Sequence, residues 1–275
     1  MNDQIVVEPE IAEGVVYGVR NEALARRRRF MLRVHLGRAL LVLVVLGGWQ
    51  YFGPRIGEMV ASSPLEVVAA LRELARTGAL WQDLAVTLEE VILGYIIGAG
   101  SGVLLGAVLA SSDYVAALLD PFIIALYGIP KIALGPLLVV WFGIYLAPKV
   151  ALAALMTFFL VFFSTYQGMR NVDQATINAA RLMGASRLQL RRYVIFPGAR
   201  ASIFLGLKLG VPEALVGAIV GEFISSSQGI GYEIQYATAQ LDTASVFAGL
   251  VVLTILSLIL NALVNKASGK KETSR

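Results

Sequence analysis

Apolar residues fall in six long blocks along this chain, separated by polar stretches of uneven length. The blocks run from Ala39 to Pro54, Val91 to Ser112, Pro121 to Ala147, Val150 to Met169, Ala201 to Ser225 and Thr243 to Asn265. A helix needs about 20 mostly apolar residues to cross a bilayer, so each block is a candidate span. The first is short and flanked by Arg38 and Arg55, whose long stems can snorkel to the interface. The third carries only Lys131, and the fifth is interrupted by Lys208, Glu213 and Glu222. The pattern reads as an all-α membrane protein with six transmembrane helices.

The polar stretches have patterns of their own. Residues 1–35 read as a basic, partly disordered arm, 36–266 as the transmembrane domain and 267–275 as a short tail. Within 56–83, Ser62-Ser63-Pro64 is a helix start, and Leu65, Val68, Leu71 and Leu74 follow at helical spacing. Residues 171–198 are the longest polar stretch inside the transmembrane region. Ile177, Ala180, Leu182, Met183 and Leu188 mix there with arginines on both sides of Gly184. That spacing predicts two short helices with a turn at Gly184, an elbow suited to docking into a groove on another protein.

Lys and Arg collect on the cytoplasmic side of membrane proteins. Arg26 to Arg29, Arg33 and Arg38 precede the first span; Arg170, Arg181, Arg187, Arg191, Arg192 and Arg200 lie between the fourth and fifth; Lys266, Lys270, Lys271 and Arg275 follow the sixth. With six spans these segments share one side, so both termini are expected in the cytoplasm. Arg27-Arg28-Arg29-Phe30-Met31 has the look of a twin-arginine export signal, but five further spans argue against a cleaved soluble cargo.

Composition narrows the chemistry. Charged residues make up 15% of the chain, hydrophobic ones 57%, and the mean hydropathy is +0.72. Soluble domains are nearer a quarter charged. There is no cysteine, which excludes thiolate sites, and the one histidine, His35, lies beside a basic cluster, which argues against histidine metal sites and Ser-His-Asp triads. The net charge of +4 reads as membrane topology, with no nucleic-acid surface. An ion-coupled secondary transporter is the competing class, although it has no need of the 171–198 elbow.

Ionisable residues at membrane depth are costly and point to function. Lys131 lies ten residues past Pro121, about 15 Å along a helix, and Glu213 twelve past Ala201, about 18 Å. The two are expected at similar depth, either paired, or lining a pathway, or each satisfied on its own. Pro130, Pro136 and Pro212 remove backbone donors inside spans and are candidate pathway walls, hinges or packing kinks. Gly94, Gly98, Gly102 and Gly106 recur every fourth residue, a spacing for close helix packing. Glu222 is expected to face a gate or a delivery partner. Glu233 and Asp242 are expected to be solvated.

The elbow also carries a resemblance. Asn178-Ala179-Ala180, three residues, Gly184, nine residues, then Val194-Ile195-Phe196-Pro197 is similar to the "EAA" loop of ABC importer permeases, Glu-Ala-Ala, three residues, Gly, nine residues, Ile-x-Leu-Pro. Asn178 stands where the family usually has Glu, and Phe196 where it has Leu. Gly128 to Leu137, Trp141 to Ile144, Ala214 to Phe223 and Gly229 to Tyr232 resemble the nitrate/sulfonate/taurine/bicarbonate branch, and Ala214 to Ala218 leans towards its thiamine-pyrimidine and riboflavin-precursor subgroup. The resemblance implies the type I ABC importer permease fold, with cytoplasmic coupling helices that take Asn178, Ala179, Ala180, Gly184, Ala185, Ser186, Leu188 and Pro197 to the ATPase. It implies an inner-membrane, binding-protein-dependent importer. Its parts are a second copy of this chain, two cytoplasmic ATPase subunits and an extracytoplasmic substrate-binding protein. Lys131, Pro130, Pro136, Glu213 and Glu222 are the candidate substrate pathway. The chain has no Gly-x-x-x-x-Gly-Lys-Ser/Thr loop, so no cofactor is expected on it, and ATP and magnesium belong to the partner ATPase.

Overall fold

The computed structural model describes residues 9–57 and 60–267, which contain helices and turns and no strand. Residues 1–65 and 66–275 form two units, each taken by itself. In the first, α1 (Pro9–Ile56) is one continuous helix. The arm expected at 1–35 is therefore helical from Pro9 and continuous with the first span. Asn21 to Arg29 is rich in Ala, Leu, Glu and Arg, strong helix formers, and nothing there breaks the helix. Leu40 to Val45 are exposed, an apolar face for hydrocarbon to cover. Beyond α1 the chain folds back: the Trp49 indole N–H donates to Ser62 O at 2.6 Å, and the Leu65 N–H to Gln50 Oε1 at 3.3 Å.

The second unit holds the rest. The amphipathic helix is present as α2 (Pro64–Thr77). The second span, expected from Val91, is α3 (Ala79–Ala110), twelve residues longer at its start. The third is not one straight helix. It is α4 (Asp113–Tyr127), a single 3-10 turn at Lys131–Leu134 and α5 (Gly135–Phe142), bent by 79°. Pro130 is extended, with ψ of 91°, and pushes Ile129 out of helical geometry. Pro136 sits in the first turn of α5, where its missing N–H costs nothing. The six-span reading holds with this bent pair counted as one span.

The fourth and sixth spans are α6 (Leu146–Arg170) and α11 (Thr243–Ala267). The elbow is α7 (Gln174–Leu182) and α8 (Arg187–Leu190). A π-turn at Arg191–Ile195 joins α8 to the fifth span, α9 (Phe196–Ser225), which continues through Pro212. A short helix α10 (Ile230–Ala239) leads to α11. The tail beyond Ala267, with Lys270, Lys271 and Arg275, lies outside the described residues.

The core is α6 held between α3 and α9. Gly94, Gly98 and Gly106 on α3 meet Ala153, Thr157 and Thr165 so closely that an added Cβ would collide, and Gly102 meets Val161 with almost no room to spare. Gly206, Gly217 and Gly221 on α9 meet Ser164, Ala153 and Lys149 in the same way. The expected glycine stripe is therefore packing, matched by a second stripe on α9 that meets several of the same α6 residues. Close backbone approach is how helices gain van der Waals contact where lipid is as apolar as leucine. Thr157 spans the seam, its hydroxyl reaching Ala153 O at 2.9 Å and Gly210 O at 3.3 Å.

Candidate functional site

Two polar assemblies sit at opposite ends of α9. At its start is the elbow. Asp173 caps α7, accepting from the Ala175 and Thr176 amides, each at 3.1 Å, and from the Thr176 hydroxyl at 2.8 Å. These bonds, the Thr176 hydroxyl first, hold its carboxyl below the usual carboxylate range. At the other end of α7 the Ala185 N–H donates to Ala180 O at 3.1 Å and the Gly184 N–H to Arg181 O at 2.9 Å. This is the Schellman closure, with Gly184 left-handed at φ 83° and an apolar contact across the turn. Ala180 is buried, and Ala185 packs in the same cluster with Ile177 and Leu190. The Ala-x-x-x-Gly spacing thus has a backbone reason: a small buried residue three positions inside the helix end and a glycine just past it.

Ser186 then starts α8 with a capping box. Its hydroxyl accepts from the Gln189 N–H at 3.3 Å, and Gln189 Oε1 accepts from the Ser186 N–H at 2.8 Å. The second arm is not an isolated short helix. Arg187–Ser225 forms one span-length helix of 39 residues, about 58 Å at the helical rise. Force applied at α8 therefore reaches the far end of α9 without passing through a loop. Asn178, Ala179, Ser186 and Pro197 are exposed. Leu182, Met183 and Leu188 are 90%, 81% and 74% exposed among the described residues, an apolar tip.

At the far end of α9 lies a buried charged cluster. Lys149 on α6 pairs with Glu90 on α3, Nζ to Oε1 at 2.6 Å, and donates to Ser226 Oγ at 3.0 Å. Glu222 accepts from Thr87 Oγ1 at 2.6 Å and from the Gly231 N–H. Asp83 accepts from the Gly229 N–H at 2.7 Å, and Thr87 Oγ1 from the Ile230 N–H at 3.0 Å. Glu90 and Glu222 are fully buried, and Lys149 nearly so. An added Cβ at Gly229 or Gly231 would strike the Glu222 carboxylate. The two glycines let the backbone after α9 close directly over that carboxylate, tying the far ends of α3, α6 and α9 to α10.

Other expectations for this region change. Lys131 and Glu213 do not pair. The Lys131 ammonium reaches Tyr127 O at 3.3 Å and lies 4.8 and 5.3 Å from the Tyr127 and Phe159 ring centres. The bend at Pro130 turns its backbone away from the course a straight span would take, and Glu213 is half-buried on α9. Glu222 is fully buried within this chain, against Thr87 and Gly231. Glu233 is half-buried; burial first, then neighbouring Asp83, raises its carboxyl above the ordinary range. Asp242 is exposed as expected and caps α11 through the Ser245 amide and hydroxyl. Sequence reasoning missed Asp83, Thr87, Glu90 and Lys149. The available signals were Glu90 abutting an uncharged run and Lys149 beside Pro148 at a helix start.

Residues 102–268, spanning the core, the elbow and the far-end cluster from Lys149 onward, match the family of binding-protein-dependent transport system inner membrane components. The chain belongs to this family. ThiX of Halalkalibacterium halodurans, named a formylaminopyrimidine transport permease protein, is 30% identical over 228 residues, covering 82% of this chain and 91% of ThiX. RibX of Chloroflexus aurantiacus, named a riboflavin transport system permease protein, is 33% identical over 230 residues, 83% of this chain and 86% of RibX. SsuC of Bacillus subtilis, named for aliphatic sulfonates transport, is 32% identical over 227 residues, 82% of each chain. A chain of the inward-facing MetNI methionine ABC transporter matches with TM-score 0.55 at 20% identity, over 70% of this chain and 94% of that one, which shows the shared fold. This permease is therefore a multi-pass inner-membrane subunit of an ABC importer, and the ion-coupled alternative falls away.

Proposed function

We propose that two copies of this permease form the pathway for a small polar or anionic solute and that each docks one ATPase subunit through its elbow. The observation that carries this reading is the capped elbow fused to α9, with an exposed apolar tip at Leu182, Met183 and Leu188. Exposed apolar side chains on a polar, rigidly capped element are what a groove in a partner would bury. The arginine-rich elbow favours the cytoplasm for this end, and with it for both termini. The far-end cluster then faces the side from which a binding protein delivers substrate. ATP and magnesium are held by the partner ATPase, and Asn178 meets it without the charge its relatives usually present. Lys131 at the α4–α5 bend and half-buried Glu213 are the charges offered to the solute path, with Pro130 and Pro136 setting the bend. A sulfonate-like or vitamin-precursor-like solute is the reading that the names of the relatives support.

The test is co-purification of the cognate ATPase with Leu182→Asp/Met183→Asp. Loss of the ATPase with an unchanged melting temperature of the permease supports the docking role. Full retention of the ATPase overturns it. Ligand screening of the cognate binding protein decides the solute class.

A further inference from the structure

Beside the far-end cluster lies a cavity of about 330 Å³, between the turn from α5 to α6, the last residues of α9 and the exposed side of α10. Its polar lining is made of hydroxyls and one carboxamide, from Tyr145, Ser225, Ser226, Ser227 and Gln235. Ile144, Phe223 and Ile224 supply the apolar part. The Ser226 hydroxyl is already engaged: it accepts from Lys149 Nζ at 3.0 Å and donates to Gln228 O at 2.5 Å. Ser225 differs. Its Oγ is buried and has no hydrogen-bond partner among the described residues, a state that costs free energy until a partner is supplied. A serine hydroxyl changes place by one χ1 step, so a group entering the cavity can relieve it.

We propose that this cavity binds an uncharged, ring-bearing solute with hydrogen-bond donors and acceptors on its edge, an aminopyrimidine-like compound and not a sulfonate. Hydroxyls and carboxamides each donate and accept, so the lining meets both kinds of group on such a ring. The ends of two antiparallel helices meet here, the carbonyl end of α9 and the amide end of α6, and their fields offset. The charges nearby are already balanced. Lys149, which reaches the lining through Ser226, is paired with Glu90 at 2.6 Å. Glu222 is sealed against Thr87 and Gly231 and does not line the cavity. An ionised sulfonate would give up water without a free cation to meet, which is costly. Tyr145 and Phe223 are 79% and 37% exposed, which leaves ring surface for a planar solute to pack against. The inference rests on the pathway reading, in which this end of α9 faces the delivering binding protein, and it narrows the solute to the neutral class.

The chain has no cysteine, so a single introduced thiol reports on the cavity without background. The test is the rate of maleimide labelling of Ser227→Cys in the full-length chain in nanodiscs at neutral pH. Cytosine is the neutral aminopyrimidine probe and butanesulfonate the anionic one, each at millimolar concentration. Cytosine should slow the labelling at least about threefold, by simple occupancy, and butanesulfonate should leave it unchanged. Thr238→Cys, exposed on α10 outside the cavity, should be slowed by neither. A second measurement, saturation-transfer NMR titration of cytosine, is read on the unaltered chain and does not depend on a variant folding. Ser225→Ala/Gln235→Ala should weaken that binding about 3- to 10-fold, and Thr238→Ala should not. Equal protection by the two probes overturns the solute class. Protection by neither, with no transfer signal from cytosine, overturns the site, as does unchanged cytosine affinity in Ser225→Ala/Gln235→Ala. The permease is measured here without its ATPase, so a failure of the docking reading would appear in co-purification and not in these rates.

Discussion

The two ends of α9 hold their shape by opposite means. The elbow is built from bonds between residues two to five positions apart: Asp173 to Thr176, Ala180 to Ala185, Ser186 to Gln189. It is solvent-exposed and keeps its geometry although none of the described residues covers its tip. The far-end cluster is built from residues 135 and 146 positions apart, Thr87 to Glu222 and Asp83 to Gly229, and its two carboxylates Glu90 and Glu222 have no exposed surface. A local device tolerates a moving partner, because its own hydrogen bonds need not break when it shifts as a unit. A buried long-range device is a clamp, with large interactions that all depend on one arrangement of helices. A single helix joins them, so the elbow is where motion can enter and the far end is where it is resisted.

That contrast fixes the size of the expected effects. Lys149→Met should be the most damaging single change. It leaves Glu90 as a buried charge without its partner, which costs about 3–5 kcal/mol in comparable cases. Thermal unfolding in detergent or nanodiscs should show it directly. Glu90→Gln/Lys149→Met should recover a large part of the loss, since the pair is removed together. A melting temperature for Lys149→Met equal to that of the unaltered chain would show that the far end is not a clamp. Next comes Gly98→Val, which presses a branched side chain onto Ala154 O and Thr157; overpacking of this kind costs about 1–3 kcal/mol. Gly100→Val, on the same helix with open space around it, should cost far less. Equal losses at the two positions would remove the packing explanation for the α3 stripe.

The same contrast explains what could be read in the sequence. The elbow was legible because its signals are local: a small residue, three positions, a glycine, with apolar residues and arginines mixed on both sides. Span count and the glycine stripe were legible from period and composition. The cluster was not, because nothing near Glu90 in sequence names Lys149, and nothing near Glu222 names Thr87. A further hint beside those at Glu90 and Lys149 was Gly229-x-Gly231, whose glycines make sense only once a carboxylate lies against them. Of the readings open for Lys131 and Glu213, the pair is absent for a related reason. Depth arithmetic assumed a straight third span, whereas Pro130 and Pro136 break it, and neither the direction of the bend nor the Tyr127 and Phe159 rings can be had from residue counting.

At the elbow the expected losses are smaller and their functional reach is wider. Gly184→Ala places a Cβ in a left-handed conformation at φ 83°, worth about 1–2 kcal/mol of local strain. Ser186→Ala removes one half of the capping box and should cost about 0.5–2 kcal/mol. Neither should shift global unfolding as Lys149→Met does, yet both should weaken ATPase co-purification by loosening the angle between α7 and α8. Global unfolding shifted as far as by Lys149→Met would mean that the elbow is part of the core and not an independent device.

The smallest expected effect is the pH response of the α7 cap, and its direction is fixed. The Asp173 carboxyl is held below its ordinary value of 3.8, first by the Thr176 hydroxyl and then by the Ala175 and Thr176 amides. Its contribution to the elbow is therefore present throughout the neutral range and at pH 5. It fades only as pH falls below the ordinary value and through the lowered folded one, where protonation removes the acceptor. Hydrogen exchange at the Thr176 amide, corrected for its intrinsic pH dependence, should show constant protection from pH 7 to 5 and a loss only in acid beyond that. Asp173→Asn keeps a side-chain oxygen for the cap but cannot ionise, so its protection should be flat across the whole series. Protection that begins to fall in the unaltered chain already between pH 6 and 5 would mean that the cap is held by something other than this carboxylate. Far-end amides such as Gly231, sealed by a buried network, should hold their protection over the range in which the cap first loosens, which separates the two ends of α9 by measurement.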